Sequence, residues 1–215
     1  MGPSDARLQA ALAGDEESLA AVYADYRPRL RQMVRLRLDT RIQARVDPSD
    51  VLQEAYLDVR RRLPEYSADP KLPFLLWLRM LVGQRLLDVH RQHLGARMRS
   101  ASLEIALNAE ALPQASSESL AAHFFFGKIT SASHAAERAE NQRLVQDTLN
   151  AMDPVDREIL ALRHFEMLSN GECAQALKIS KTAASNRYIR ALKRVKQALV
   201  SSSGHPYDSR DQGDP

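Results

Sequence analysis

Apolar residues return at three- and four-residue spacing along most of this chain. No clear alternating run of strand length interrupts them, so the pattern predicts an all-α protein. Leu8, Leu12, Leu19, Val22 and Tyr23 mark a first helix. An arginine-rich second helix is expected over 28–42, opening at Pro28 and carrying Arg29, Arg31, Arg35, Arg37 and Arg41. Asp47-Pro48-Ser49-Asp50 is a strong start signal for a third: Asp at the N-cap, Pro at the first helical position, an acid in the first turn. That helix carries Val51, Leu52, Ala55, Tyr56, Val59 and Leu63 inward, and Pro64 is expected to end it. Residues 66–73 read as a loop broken by Pro70 and Pro73. A long apolar helix follows over 74–93, with Leu75, Leu78, Val82, Leu86 and Val89 on one stripe and Trp77 and Leu81 beside it. A single Trp in such a stripe reads as core rather than as a stacking platform.

Periodicity fades over residues 95–136, which are rich in Ala and Ser and read as a linker with one or two short helices. Phe124, Phe125 and Phe126 are unusual there, and three aromatics in a row call for a surface to dock on, in this chain or a partner. From about Ala135 a helix resumes, with Leu144, Val145, Thr148, Leu149 and Met152 inward. Asp153-Pro154-Val155-Asp156 repeats the start signal at 47, and its helix carries Ile159, Leu160, Leu162 and Phe165.

Residues 169–196 then read as a helix-turn-helix. Ser169 and Glu172 form an S-x-x-E capping box, and Ser180 is a second good N-cap. Ala174 and Leu177 share an inner face in the first helix; Ala184, Ile189 and Leu192 are expected inward in the second. Lys181, Thr182, Ser185 and Asn186 lie at the exposed start of that second helix, where this motif reaches base edges in the major groove. From Cys173 to Tyr207 there is no Asp or Glu, while Lys178, Lys181, Arg187, Arg190, Lys193, Arg194 and Lys196 all fall in the run. A solvated face usually mixes signs. This one does not, which favours phosphate neutralisation and duplex DNA as the partner.

Bulk composition narrows the picture. The chain has 215 residues, 44% of them hydrophobic, which suits one large domain or two small ones. Net charge is only +3, so nucleic-acid binding must come from local clusters. The single cysteine, Cys173, excludes an internal disulfide and reads as a small core residue. No apolar run reaches membrane-spanning length, and the first residues lack the basic-then-apolar order of a signal peptide, so a cytoplasmic setting is expected. His90 and His93 have no further Cys or His at ligand spacing. With no catalytic triad, metal set or Gly-rich phosphate loop, neither a cofactor nor an enzyme is expected.

Two blocks carry a resemblance. DPSDVLQEAYLDVRRRLPEY followed by LPFLLWLRMLVGQRLLDVHRQH resembles the second conserved region of the bacterial sigma-70 family, with its D-x-x-Q-E helix and later W-L…D-x-x-R helix. DPVDREILALRHFEMLSNGECAQALKISKTAASNRYIRALKRV is similar to that family's fourth region. In this order the two point to the small extracytoplasmic-function (ECF) RNA polymerase sigma factors. The resemblance implies two small helical domains: a region 2-like bundle over 1–95 and a region 4-like helix-turn-helix over 136–200. A linker over 96–135 would join them, and a disordered tail would cover 201–215.

The resemblance also implies roles. Asp50, Gln53 and Glu54, spaced to share one helical face, would dock on a basic coiled coil of the polymerase beta-prime subunit. The 66–74 loop and the helix after it would melt the −10 element and capture a flipped base. Gln84, Arg85, Asp88 and Arg91 would contact it, and Arg79, Arg97, Arg99, His90 and His93 would add charge. For the −35 duplex, Lys181, Thr182, Ser185 and Asn186 would touch bases, while Arg187 and Arg190 hold phosphates. Core RNA polymerase (beta-prime and beta subunits), promoter DNA and an anti-sigma factor are the partners implied. The sequence departs from the pattern at Lys178, where the turn usually has Gly, at Gly171, at Gln84, a frequent Asn, and in its long linker. The alternative reading is a stand-alone helix-turn-helix regulator that binds duplex DNA without polymerase. The first block is what separates the two readings.

Overall fold

The computed structural model describes residues 5–94, 112–124 and 135–202. Its elements are helices throughout: α1 (Asp5–Leu12), α2 (Glu16–Arg37), α3 (Pro48–Ala68), α4 (Phe74–Leu94), α5 (Ser117–Phe124), α6 (Ala135–Asn150), α7 (Pro154–Leu160), α8 (Asn170–Ala176) and α9 (Lys181–Ser202). A π-helical turn, Ala161–Phe165, continues α7. The all-α expectation holds.

The starts follow the local chemistry. Asp47 and Asp153 cap α3 and α7, each with Pro at the first helical position. Ser169 and Glu172 complete a reciprocal capping box on α8. The Ser180 hydroxyl accepts from the Ala183 N–H at the head of α9.

Two expected helix boundaries are corrected. Pro28 starts no helix: α2 runs through it, and Pro64 lies inside α3. An interior proline costs ~3 kcal/mol. Leu19, Val22 and Tyr23 are buried before Pro28, and Leu30, Met33, Val34 and Leu36 after it. At roughly 1.5–3 kcal/mol per buried side chain, that packing outweighs the lost hydrogen bond. Leu63 and Tyr66 anchor the last turn of α3 in the same way, which shortens the expected loop to residues 69–73.

The inward face of α9 is also corrected. Ala184 is buried as expected, but Ile189 and Leu192 are 48% and 36% exposed, and Ala191 and Val195 are buried in their place. Side-chain size decides this. The alanines let α9 lie close against α6 and α7, and Tyr188 fills the edge, its ring under the Arg163 guanidinium at 5.3 Å. Most other expected core residues of the first half, Trp77 among them, are buried; Leu8, Leu12 and Tyr56 are only partly so, and the Trp77 ring stacks on Tyr66 with centroids 4.5 Å apart.

The two halves share their cores. Ile159, Leu162, Leu168, Cys173, Ala174 and Ala184 join the cluster built by α1–α4, while Leu36 joins the one built by α5, α6, α7 and α9. Part of the expected linker is packed rather than free: Ala115, Leu120 and Ala121 are buried, and Phe124 sits edge-on to Phe165 and stacked on His164. Phe125, Phe126, Arg97, Arg99 and the tail beyond Ser202 lie outside the described residues; Ser201 and Ser202, expected in the tail, belong to α9. No helix among the described residues is long and apolar enough to cross a membrane.

Candidate nucleic-acid interface

α8 and α9 form the helix-turn-helix. Lys178 in the turn has φ 53°, the left-handed conformation that the motif usually gives to Gly. The Ile179 N–H closes the turn on the Ala174 carbonyl at 3.0 Å. The Asn170 side chain donates to the Lys181 carbonyl at 2.8 Å, fixing the head of α9 against α8. Gly171 lies beside the Lys181 side chain, and a Cβ there would meet the Lys181 Cε at 3.6 Å, an ordinary contact. Cys173 is fully buried, and burial pushes its thiol up to about 12, so it is core and not a reactive group.

At the head of α9, Lys181, Thr182 and Asn186 are exposed and Ser185 is half-buried. Sequence reasoning gave no site role to Ile189, Lys193 or Arg194, which line a shallow groove with Asn186, Arg190 and Gln197. The acid-free run was the signal that pointed to them. Arg187 and Arg190, expected to hold phosphates, also have a partner within the chain. Both turn onto Asp156, which is 1% exposed: Arg187 Nη1 donates at 2.6 Å, and Arg190 Nε and Nη2 at 2.9 and 2.8 Å. Arg187 also reaches Asp153 at 3.2 Å. Asp156 thus holds α9 against α7 and sets where the two guanidiniums point.

On α3, Asp50, Gln53 and Glu54 are all exposed along one face, and Leu57, one turn further, is 62% exposed. Nothing in the helical pattern singles out Leu57; its exposure does. Across from this face on α4, Gln84 accepts from Arg62 Nη1 at 3.1 Å. Arg85 donates to Asp58 at 2.7 Å and lies 3.6 Å from Glu54; Asp88 pairs with Arg91 at 3.1 Å. The hydrogen bond to Asp58 holds the Arg85 guanidinium above its ordinary value.

The charge expected along α4 is therefore smaller than the residue count suggests. His90 is buried, and its Nε2 accepts from the Asp39 N–H at 3.2 Å, which requires neutral imidazole at that nitrogen. Burial pushes its pKa down. Arg79 is buried as well, tied to Glu166 at 2.7 Å.

The family described as Sigma-70, region 4 matches residues 142–195. The ECF RNA polymerase sigma factor SigD of Mycobacterium tuberculosis is 28% identical over 201 residues, 94% of this chain and 86% of its own length. The RNA polymerase sigma-E factor of Streptomyces coelicolor is 34% identical over 67 residues, 31% of this chain and 38% of that protein. Among solved structures, CnrH in complex with the cytosolic domain of CnrY shares the fold, with a TM-score of 0.52 at 21% identity. The match covers 91% of this chain and 97% of that one. The SigD likeness runs through both halves, which favours a polymerase subunit over a stand-alone regulator. Residues 142–195 thus match region 4 of the sigma-70 family, and over most of its length the chain is similar to extracytoplasmic-function RNA polymerase sigma factors.

Proposed function

We propose that this chain is a promoter-specificity subunit that joins core RNA polymerase and directs it to promoters carrying a matched −10 and −35 element. One observation carries the reading. A single chain presents an exposed acidic face, Asp50, Gln53 and Glu54, and a separate helix-turn-helix with an acid-free outer helix.

The acidic face of α3 docks on the basic coiled coil of beta-prime. The 69–73 loop and α4 take the −10 strand, through Gln84, Arg85, Asp88 and Arg91, after the duplex is opened. Unstacking a base costs a few kcal/mol, which polar and charged contacts from the 69–73 loop and α4 offset. Lys181, Thr182, Ser185 and Asn186 read −35 base edges, and Arg187, Arg190, Lys193 and Arg194 meet phosphates. Residues 1–95 and 136–200 act as the two modules. The chain supplies no bond-making chemistry of its own, needs no cofactor and works in the cytoplasm with the polymerase. An anti-sigma factor is its regulator.

The test is run-off transcription with purified core polymerase and a promoter library. Transcripts from a defined promoter set are expected only when the chain is added. Tight DNA binding by the chain alone, with no transcript from any promoter, sinks the proposal.

A further inference from the structure

Asp156 lies in the first turn of α7, where the helix dipole favours an acid. Its carboxylate is not left at the surface. The side chain is 2% exposed and spends both oxygens on α9. Oδ1 accepts from Arg187 Nη1 at 2.6 Å and from Arg190 Nη2 at 2.8 Å, and Oδ2 accepts from Arg190 Nε at 2.9 Å. Arg187 Nη1 also donates to the N-cap residue Asp153 at 3.2 Å.

Stability alone does not call for this clasp. Ala184, Ala191 and Val195 already bury one face of α9. Burying a carboxylate costs solvation that its ion pairs do little more than return. What an ion pair adds over an apolar contact is direction. A guanidinium is a planar fork of five N–H donors. Arg190 gives one edge of its fork, Nε and Nη2, to a single carboxylate, which leaves Nη1 for an outside acceptor. Arg187 keeps Nε and Nη2 in the same way. The two side chains are nevertheless 53% and 30% exposed. They are fixed at the root and open at the tip.

Two different terms govern how such a helix meets a duplex. Counterion release depends on charge and is the same on any sequence. A phosphate contact of fixed direction sets the register of the helix over the bases. A loose arginine follows phosphates in many registers and so adds to binding everywhere. A clasped one is satisfied in few. The carboxylate also subtracts from the positive field at the very place where the phosphates come.

We infer that Asp156 is a positioning residue for promoter selectivity: by clasping Arg187 and Arg190 it fixes the register of α9 on the −35 duplex and holds down binding to random DNA. This rests on the function proposed above.

Competition tests it. The chain is combined with core polymerase and a promoter drawn from the run-off library. The readout is the concentration of random-sequence duplex that halves the transcript. In Asp156→Asn that concentration should fall by about 3- to 10-fold, the weight of roughly one phosphate contact. Added positive charge by itself would strengthen promoter and random binding alike, and the readout would not move. A side chain that only braced α9 would lower the melting temperature and weaken both kinds of binding together, again without moving it. A half-inhibiting concentration equal to the parent's, or higher, therefore overturns the inference.

Asp153→Asn guards against a folding defect. Asp153 is exposed, and Asn caps a helix as well as Asp does. The change loosens Arg187 alone, so a shift of about 2-fold in the same direction is expected. Should Asp156→Asn not fold, this variant decides, and no shift overturns the clasp. If the parent chain is itself silent on every promoter, the function falls and the clasp with it; an active parent with unmoved variants sinks the clasp alone.

Discussion

The two proposed reading helices are nearly equal in length and built on opposite plans. α4 buries 12 of its 21 residues, and its charged groups are paired or withdrawn. α9, with 22, buries only Ala184, Ala191 and Val195 among its described side chains and turns an acid-free surface outward. The contrast matches the two tasks. A duplex presents its code in an open groove, so α9 needs an exposed face and local positive charge. A melted strand must be held on a rigid surface, so α4 is first a structural beam, locked in place by the packed rings of Tyr66, Phe74 and Trp77. Substitutions should therefore damage function on α9 and stability on α4.

The largest expected effect breaks the α9 side. Lys181→Glu with Lys193→Glu removes two cations from the outer face without touching the Asp156 clasp. Promoter-directed transcription should fall by about 100-fold, and the log–log salt dependence of promoter binding should become shallower by about 2 units. Core polymerase affinity should not change. Reversing Arg187 is a poorer test, because the new carboxylate would face buried Asp156 and damage the domain itself. Unchanged transcription from the double variant would remove α9 from the promoter.

Next comes the acidic face of α3. Asp50→Lys with Glu54→Lys should weaken core polymerase binding by roughly 10- to 100-fold, chiefly at low salt, and leave the melting temperature near that of the parent, since both residues are exposed. Leu57→Ser should add to that loss, because Leu57 is 62% exposed one turn along the same face and covering it would take apolar surface out of water. If binding is indifferent to all three, the docking face lies elsewhere.

These helices were not equally legible in the sequence. The start of each helix was readable wherever a cap was explicit, as at Asp47, Asp153, Ser169 and Ser180. Interior breaks were not, because Pro28 and Pro64 are overruled by packing that only the assembled core supplies. α9 was readable as a basic helix but not as a rotated one. Hydrophobicity ranks Ile189 and Leu192 above Ala184 and Ala191, whereas a close helix–helix approach selects the alanines. Gln84 and Arg85 could be placed on α4, but not their partners Arg62, Asp58 and Glu54, which come from a different helix. The cluster of Arg37, Arg79, Glu158 and Glu166 was invisible, since its members lie up to 129 positions apart and none stands out locally.

That cluster gives a smaller, pH-dependent effect. Burial raises the Glu166 carboxyl, but Arg37 and Arg79 outweigh it and leave it below its ordinary value of 4.5. A depressed carboxylate contributes stability that is present above its unfolded value and lost as pH falls through its folded one. Urea midpoints should thus hold steady from pH 7 to about 5 and decline below about 4.5. Asp15, Asp39, Asp47 and Asp153 are lowered too, by hydrogen bonds at turns and helix starts, so the parent alone cannot isolate the cluster. The difference between parent and Glu166→Gln can. It should narrow as pH drops below 4.5, and a constant difference would mean that Glu166 carries no charge in the fold.

The smallest expected effect concerns the turn that joins α8 to α9. Lys178 holds φ 53° where a side chain is strained by ~1 kcal/mol. Replacing it with Gly removes that strain but gives the unfolded chain more freedom, a loss of about 0.4–1 kcal/mol. The two terms nearly cancel, so Lys178→Gly should move the melting temperature by no more than ~2–4 °C. Function gives a sharper reading than stability. Lys178 is one of the cations on the acid-free run, and it also lines the cavity facing α4. If the residue serves the duplex, Lys178→Gly should lower the salt slope of promoter binding by about 1 unit; if it serves only the turn, the slope should stay put.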